Sequence, residues 1–205
     1  TPLVSLFVTG FVTFAWMGPV LREAGTLLGE GLQWLYMQGG FVGAGIFGLF
    51  YAPIVITGLH QSFSAIETQL LAATGLTFIF PIASMSNVAQ GAAVLAVLVF
   101  SKNTKMKSIS SASGISALLG ITEPAIFGVN LRLMKPFVFA AVGGAIGALV
   151  GAIFHIGATA NGVTGIPGYL IASNPLTYTI LLLVAGGTSF VLTFLFWKEN
   201  DGVEP

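Results

Sequence analysis

Cysteine is absent from this 205-residue chain, and charge is scarce. The absence of cysteine excludes disulfides, thiolate metal sites and a cysteine nucleophile within these residues. Charged residues make up 7% of the chain, whereas soluble domains carry about 25%. The net charge is zero, so no nucleic-acid partner is expected, and two histidines without clustered acids predict neither a metal nor another cofactor. This scarcity of charge excludes an ordinary soluble domain.

The chain contains several long runs of apolar residues. The mean hydropathy is +0.95, and 27 glycines suit packed membrane helices, in which small residues permit close approach. About 20 apolar residues are needed to cross a bilayer. Five runs reach that length, at residues 2–21, 39–58, 77–100, 137–156 and 176–197. The chain is therefore predicted to be an all-α integral membrane protein with about five transmembrane helices.

The segment between the first two runs has a different pattern. Residues 24–38 carry apolar side chains at helical spacing, including Leu28, Leu32 and Tyr36, whereas Gln33 lies on the opposite side. This pattern is typical of an amphipathic helix that lies in the membrane interface. We therefore expect an interfacial helix at 24–38.

Two other segments are apolar but interrupted. Residues 60–74 contain several polar side chains, and residues 108–133 are rich in Ser, Gly and Ala and are broken at Gly120 and Pro124. Irregular backbone at membrane depth is tolerated only where protein or water covers it. Both segments are therefore predicted to be re-entrant hairpins that line a cavity.

The cations predict how these segments cross, because Lys and Arg concentrate on the cytoplasmic side. A full span at 108–133 would place Arg132 and Lys135 outside, whereas a hairpin returns them to the cytoplasm. With 39–58 running outward, 77–100 inward, 137–156 outward and 176–197 inward, all seven cations fall on one side. This arrangement of the helices predicts a cytoplasmic C-terminus.

Glu123 is the first candidate for a functional residue. A carboxylate at membrane depth costs several kcal/mol unless it faces a polar cavity, so such a group suggests a functional site. Gly120 and Pro124 flank it and favour a helix break, where transporters expose groups to substrate. The alternative is a loop carboxylate in headgroup water.

His60 and Glu67 form a second candidate pair. They are seven residues apart, so they share a face if their segment is helical. Imidazole and carboxylate groups can hydrogen-bond a polar substrate and accept a hydroxyl proton. The alternative for His60 is an interfacial histidine at the end of a span.

Other polar residues leave two interpretations open. Ser84, Ser86, Asn87 and Gln90 interrupt the third run and either bond to neighbouring helices or line the substrate route. Arg132 is either an orientation-setting surface cation or the ion-pair partner of a site carboxylate. His155 is expected to be interfacial.

Three stretches resemble a known family. Residues 120–132, Gly-Ile-Thr-Glu-Pro-Ala-Ile-Phe-Gly-Val-Asn-Leu-Arg, closely resemble a signature of the membrane-embedded C component (EIIC) of sugar phosphotransferase system permeases, in the glucose superfamily. Residues 58–69 resemble its second signature, in the form of the sucrose branch of the sucrose/trehalose/β-glucoside group. Residues 84–93 are also similar to sucrose-type members. The resemblance covers essentially the whole chain.

The resemblance implies a homodimeric carrier in the bacterial inner membrane. It takes up a sugar, such as sucrose, and passes it to a phosphocysteine on a B domain, so the phosphoryl-carrying residue lies outside this chain. Family members bind sugar through residues that map onto Glu123 and His60, and either could accept the hydroxyl proton. Thr122, Glu67 and Arg132 are the further candidate sugar-binding residues.

The predicted organisation follows from the same resemblance. Residues 1–198 are expected to be the C-terminal, substrate-binding part of the C domain, and residues 199–205 a polar tail or linker. The N-terminal half of the C domain and the B domain are expected in a longer protein. Broken helices equally suit an ion-coupled secondary sugar transporter, in which Glu67 and Glu123 would carry protons. A third alternative is a structural or sensory membrane domain that binds no sugar.

Overall fold

Every regular element in the part of the chain that the structure describes is a helix. A computed structural model describes residues 2–199, except for the side chains at positions 21, 28, 29, 32, 33, 36 and 37. The α-helices are α1 (Pro2–Val12), α2 (Gly18–Thr57), α3 (Phe63–Thr74), α4 (Ile79–Phe100), α5 (Thr104–Leu118), α6 (Glu123–Ala125), α7 (Leu131–Leu133), α8 (Lys135–Ile153) and α9 (Pro175–Phe196). Short π-helical and 3-10 turns occur at Thr13–Met17, Leu59–Ser62, Ile126–Asn130 and Ile166–Leu170.

Five helical stretches within residues 2–199 are long and apolar enough to cross a membrane. They are Pro2–Leu27, Gln38–Thr57, Ile79–Phe100, Lys135–Ile153 and Pro175–Phe196. They coincide with the five runs predicted from the sequence. The all-α membrane fold is therefore confirmed, and α4 is the most deeply buried of the five.

Three of these helices form a closely packed core. A Cβ atom on Gly147 would lie 2.7 Å from the Cβ of Ala185, and one on Gly151 would lie 3.3 Å from Leu181. These pairs show that α8 and α9 run in opposite directions with small residues between them, as membrane helices that approach closely require. Ser189 Oγ donates to Ala89 O at 2.6 Å, and the ring centroids of Phe100 and Phe194 are 4.4 Å apart. The helices α4 and α9 therefore run in the same direction, and the predicted relative directions of these three helices are confirmed.

The direction of α2 differs from the prediction. Gly45 lies against Leu149 and Gly48 against Gly144, so the second half of α2 runs antiparallel to α8. The distribution of cations predicts the same direction for residues 39–58 and 137–156. The helix continues from Gly18 to a non-helical residue at Gly40, and its 22 residues before that point advance the chain by about 33 Å.

That continuous helix also replaces the separate interfacial helix expected at 24–38. Its length carries the chain to the other end of the bundle before the kink, so 39–58 starts from the end opposite to the one predicted. Of the apolar residues in that pattern, Leu27 is exposed and Leu35 is partly buried, while the side chains of Leu28, Leu32 and Tyr36 lie outside the described residues.

The segment after α2 turns back as a hairpin. Gly58 adopts a left-handed conformation (φ 77°) that ends α2, and α3 returns beside it with Phe63 packed against Phe47 and Tyr51 at centroid distances of 5.7 and 6.3 Å. The 12 residues of α3 extend only about 18 Å, which is too short to cross a bilayer. We call residues 41–74 the first hairpin, with its tip at 58–62.

Residues 104–133 form the second hairpin, with its tip at 119–122. One arm is α5, and the other is the helical run from α6 through α7. A Cβ on Gly128 would lie 3.5 Å from Ile109, and Ala117, Ala125 and Val129 share one buried cluster, so the two arms pack side by side. The hairpin predicted over 108–133 is present.

The two hairpins enter the bundle from opposite ends. Thr77 N, which follows the first hairpin, donates to Ala158 O at 2.9 Å at one end. At the other end, before the second hairpin, Glu199 accepts hydrogen bonds from Lys102 N at 2.7 Å, Asn103 N at 3.0 Å and Ser101 Oγ at 3.1 Å. Glu199, predicted to begin the polar tail, thus joins α9 to the base of the second hairpin. Residues 200–205 of that predicted tail lie outside the described residues.

The second hairpin predicts a labelling pattern. Single cysteines at Lys105 and Lys135, one at each end of the hairpin, should react with an impermeant thiol reagent from the same side of the membrane, and we expect that side to be the cytoplasm. Inside-out and right-side-out vesicles of the full-length protein provide the measurement, and the parent without the new cysteines gives the background. Labelling of the two positions from opposite sides would mean that the segment crosses the membrane.

Candidate functional site: a cavity between two hairpin tips

A cavity of about 220 Å³ lies where the two hairpin tips meet. The first hairpin, the second hairpin tip, α4 and the loop between α8 and α9 (residues 154–174) all contribute to its wall. The residues that line it with polar or glycine groups are Tyr51, His60, Gln61, Ser64, Glu67, Asn87, Gly120, Thr122, Glu123, Gly162 and Thr164. Most of the wall can therefore form hydrogen bonds, although the surrounding bundle is apolar.

Local geometry places Glu123 at the start of a helical run. Gly120 has a φ of 96°, which breaks the chain after α5, and Thr122 O accepts from Ile126 N at 2.9 Å as the helix restarts. Pro124 occupies the first turn, where its missing N–H is not needed. A carboxylate in a first turn is stabilised by the positive end of the helix dipole. Thr122 is buried, whereas Glu123 remains exposed at the cavity.

His60 lies on the opposite tip. Its side chain is half-buried, and burial lowers the pKa of its imidazole, while the charge of Glu123 partly opposes that shift. Gln61 Nε2 lies 3.1 Å from His60 Nε2, and His60 Nδ1 is buried without a hydrogen-bond partner in residues 2–199. The ring therefore has hydrogen-bonding capacity that no described side chain uses.

Glu67 occupies the inner wall of the first hairpin. It is only 4% exposed, and burial raises the pKa of its carboxyl to about 8. The group is therefore protonated at neutral pH and can donate a hydrogen bond as well as accept one. Glu123, which lines the same cavity, is exposed and lies in the first turn of a helical run.

Asn87 connects α4 to the second hairpin tip and to the α8–α9 loop. Its Nδ2 donates to Thr164 Oγ1 at 2.8 Å and to Gly120 O at 3.3 Å. The α8–α9 loop is held on its other side by Tyr178, whose hydroxyl donates to Gly165 O at 2.6 Å. The loop between α8 and α9 therefore reaches the cavity.

The structure brings four of the five predicted site residues to one cavity. His60, Glu67, Thr122 and Glu123 line it, although 63 positions separate the first from the last. Arg132 does not line it: the residue is exposed, and nine helical positions beyond Glu123 correspond to about 14 Å along the axis.

The polar residues of α4 divide between the two expected roles. Gln90 Oε1 accepts a hydrogen bond from Asn130 Nδ2 at 2.6 Å and so joins α4 to the second hairpin, whereas Ser84 Oγ donates to Phe80 O at 2.8 Å within α4 itself. Asn87 reaches the cavity instead. His155, expected to be interfacial, is exposed at the end of α8.

Sequence reasoning missed Tyr51, Gly162 and Thr164. The hydroxyl of Tyr51 in an otherwise apolar run was the available signal for that residue. No local pattern marks Gly162 and Thr164, because their position depends on how the α8–α9 loop folds back.

The fold and the cavity define a membrane protein in which two helical hairpins meet at a polar cavity. A family model described as "Phosphotransferase system, EIIC" matches residues 1–145. The chain belongs to this family. The resemblance found in the residue motifs is thereby confirmed.

Several curated proteins are similar to this chain. The "PTS system sucrose-specific EIIBC component" of Vibrio alginolyticus is 54% identical over 200 residues, which cover 95% of this chain and 42% of that protein. The protein of the same name from Pasteurella multocida is 52% identical over 204 residues, covering 97% of this chain and 43% of the relative. The protein of the same name from Staphylococcus xylosus is 56% identical over 177 residues, which cover 84% of this chain and 37% of that protein. The chain spans less than half the length of these relatives, and no solved structure matches it.

Protonation of Glu67 predicts a pH-dependent effect on stability. Above pH 4.5 the unfolded state ionises Glu67, whereas the folded state keeps the proton up to about pH 8, so this residue progressively destabilises the fold between those values. Glu67→Gln should therefore be more stable than the parent at pH 8, with a smaller difference at pH 5. Thermal unfolding of the full-length protein in detergent measures this.

The control for this comparison is Gln69→Ala, an exposed position on the same helix. Its stability should follow the pH dependence of the parent protein. A Glu67→Gln difference that is equal at pH 5 and pH 8 would contradict protonation of the buried carboxyl.

Proposed function

We propose that this chain is the sugar-binding part of a carrier that couples uptake of sucrose to its phosphorylation by the phosphotransferase system. Residues 1–198 would form the C-terminal, substrate-binding part of the C domain. The observation that carries this proposal is the meeting of His60 and Glu123, from opposite hairpins, at one polar cavity. The sucrose-specific names of the similar proteins support the choice of sugar.

The cavity supplies the groups that a sugar needs. The carboxylate of Glu123 accepts hydrogen bonds from sugar hydroxyls, and charge-assisted bonds of this kind are the stronger ones. His60 and Thr122 add groups that can donate or accept, and the protonated carboxyl of Glu67 adds a donor. We keep Arg132 outside the sugar contacts, because it lies away from the cavity.

The proposed reaction transfers a phosphoryl group from a phosphocysteine on a B domain. A sugar hydroxyl attacks phosphorus, the oxygen–phosphorus bond forms as the sulfur–phosphorus bond breaks, and the thiolate leaves. The hydroxyl proton passes to Glu123 or His60 and finally to solvent or the thiolate. The cysteine belongs to a domain outside these residues, which contain none. The "EIIBC" and "EIIBCA" names of the similar proteins support a linked B domain.

The cavity volume indicates that the hairpin tips separate during transport. About 220 Å³ is below the roughly 300–1,000 Å³ of sites that enclose drug-sized ligands. A disaccharide therefore needs a wider opening between the tips. Since the hairpins enter from opposite ends, parting them exposes the cavity toward one end or the other.

The assembly we propose is a multi-pass protein of the bacterial inner membrane with a cytoplasmic C-terminus. All six cations from Lys102 onward are exposed. The bonds from Glu199 to residues 101–103 place the end of α9 beside the lysine-rich loop, which supports the same orientation for both. We also propose that the full-length protein forms a homodimer.

Phosphoryl coupling and ion coupling give different transport results. The family membership favours phosphoryl coupling over proton transfer by Glu67 and Glu123. Vesicles that contain the full-length protein should accumulate sucrose phosphate after the ion gradients are collapsed, provided that phosphoenolpyruvate and the general phosphotransfer proteins are present. Uptake that instead stops with the gradient and proceeds without a phosphoryl donor would establish the ion-coupled alternative.

The role of Glu123 predicts a loss of sugar affinity. Glu123→Gln preserves the shape of the side chain but removes the charged acceptor, which should cost about 1.5–3 kcal/mol of sucrose binding. Equilibrium binding of radiolabelled sucrose to the full-length protein measures the change. Glu30→Gln is the matched control, because Glu30 is exposed and away from the cavity. Equal affinities for Glu123→Gln and the parent would remove Glu123 from the site.

A further inference from the structure

Three elements that are distant in sequence meet at Asn87. The residue lies in the middle of α4, is 6% exposed, and bonds both to the second hairpin tip and to the α8–α9 loop. Its two acceptors, Gly120 O and Thr164 Oγ1, are 33 and 77 positions away. One amide group thus links the helix that forms the core to two walls of the cavity.

The hairpin tip rests directly on the loop at this point. A Cβ atom on Gly120 would lie 2.8 Å from both the backbone oxygen and the hydroxyl oxygen of Thr164. Such a distance leaves no room for a side chain, so the two backbones are in close contact. The bond from buried Tyr178 to Gly165 O fixes the loop from the α9 side.

The tip has few other polar connections to the rest of the protein. Gly120 N bonds to Ala117 O, Ile121 N to Ser116 O, and Ser116 Oγ to Ile121 O, all within the second hairpin. In the described residues, Asn87 is the side chain that ties this tip to another element by a hydrogen bond. Glu123 follows Gly120 by three residues, so its position depends on that tie.

We propose that Asn87 and Thr164 form a positioning pair that holds the second hairpin tip, and with it Glu123, in the geometry that binds sugar. The inference rests on the proposed function and deepens it, because it identifies residues that set sugar affinity through Glu123. The hydroxyl of Thr164 keeps the Asn87 amide oriented between loop and tip. Without it, the amide retains Gly120 O alone, and the tip can shift relative to α4.

The test is a pair of substitutions at Thr164 in the full-length protein. Thr164→Val preserves the side-chain shape and removes the hydroxyl, whereas Thr164→Ser preserves the hydroxyl. We expect Thr164→Val to weaken sucrose binding about tenfold, the effect of losing one buried hydrogen bond, and Thr164→Ser to remain within about twofold of the parent. The KM for uptake should rise accordingly, with the maximal rate nearly unchanged.

A double-mutant cycle separates positioning from direct sugar contact. If Thr164 acts through Glu123, then Thr164→Val should weaken binding by less than about threefold in the Glu123→Gln background. A full tenfold effect in that background would mean that Thr164 acts independently of Glu123, and the positioning proposal would be wrong.

The remaining outcomes are also decisive. Unchanged affinity in Thr164→Val, or a loss in Thr164→Ser as large as in Thr164→Val, overturns this inference while the proposed function stands, provided that the parent binds sucrose. Absence of sucrose binding by the folded parent protein overturns the proposed function and this inference together. Thermal unfolding of each variant verifies that it is folded.

Discussion

Interrupted helices inside an apolar bundle leave backbone N–H and C=O groups that lipid cannot satisfy. The interruptions at Gly58 and Gly120 form the two hairpin tips, and each must be covered by protein or by water. Residues of both tips line one cavity, and the α8–α9 loop packs against the second tip at Gly120. A polar cavity follows from this arrangement, because the groups that cover the breaks are themselves polar. The site for a substrate is thus a consequence of how the chain accommodates its helix breaks.

The core helices and the hairpins have different kinds of packing. Between α8 and α9, small residues bring backbones into contact, and Ser189 ties α9 to α4. The first hairpin depends more on aromatic contacts of Phe47, Tyr51 and Phe63. The hairpins therefore pack against a core that is held together by different contacts. This contrast fits a carrier in which the cavity must admit a molecule larger than its present volume.

Much of the site could be predicted because rare polar groups stand out in an apolar sequence. Glu123 between Gly120 and Pro124, and His60 directly after a span, are visible without any structure. Their meeting at one cavity was expected from the cost of burying ionisable groups against lipid. The hairpin at 108–133 followed from the cations at its two ends.

Other features depend on tertiary structure and escaped prediction. The direction of 39–58 could not be read from an apolar run, because length and composition are the same in either direction. That direction depends on the helix that continues unbroken from Gly18 to the kink at Gly40. Thr164 carries no charge and sits in a loop, so its contact with Asn87 has no local signal. Arg132 belongs to the same motif as Glu123, but helical rise carries it away from the cavity.

The central claim is that a sugar binds between the two hairpin tips. A cryo-electron microscopy map of the full-length protein with saturating sucrose tests it most directly. We expect sugar density within hydrogen-bonding distance of both Glu123 and His60, with the tips further apart than in the sugar-free structure. Sugar density elsewhere in the bundle, or in contact with only one hairpin, would contradict it.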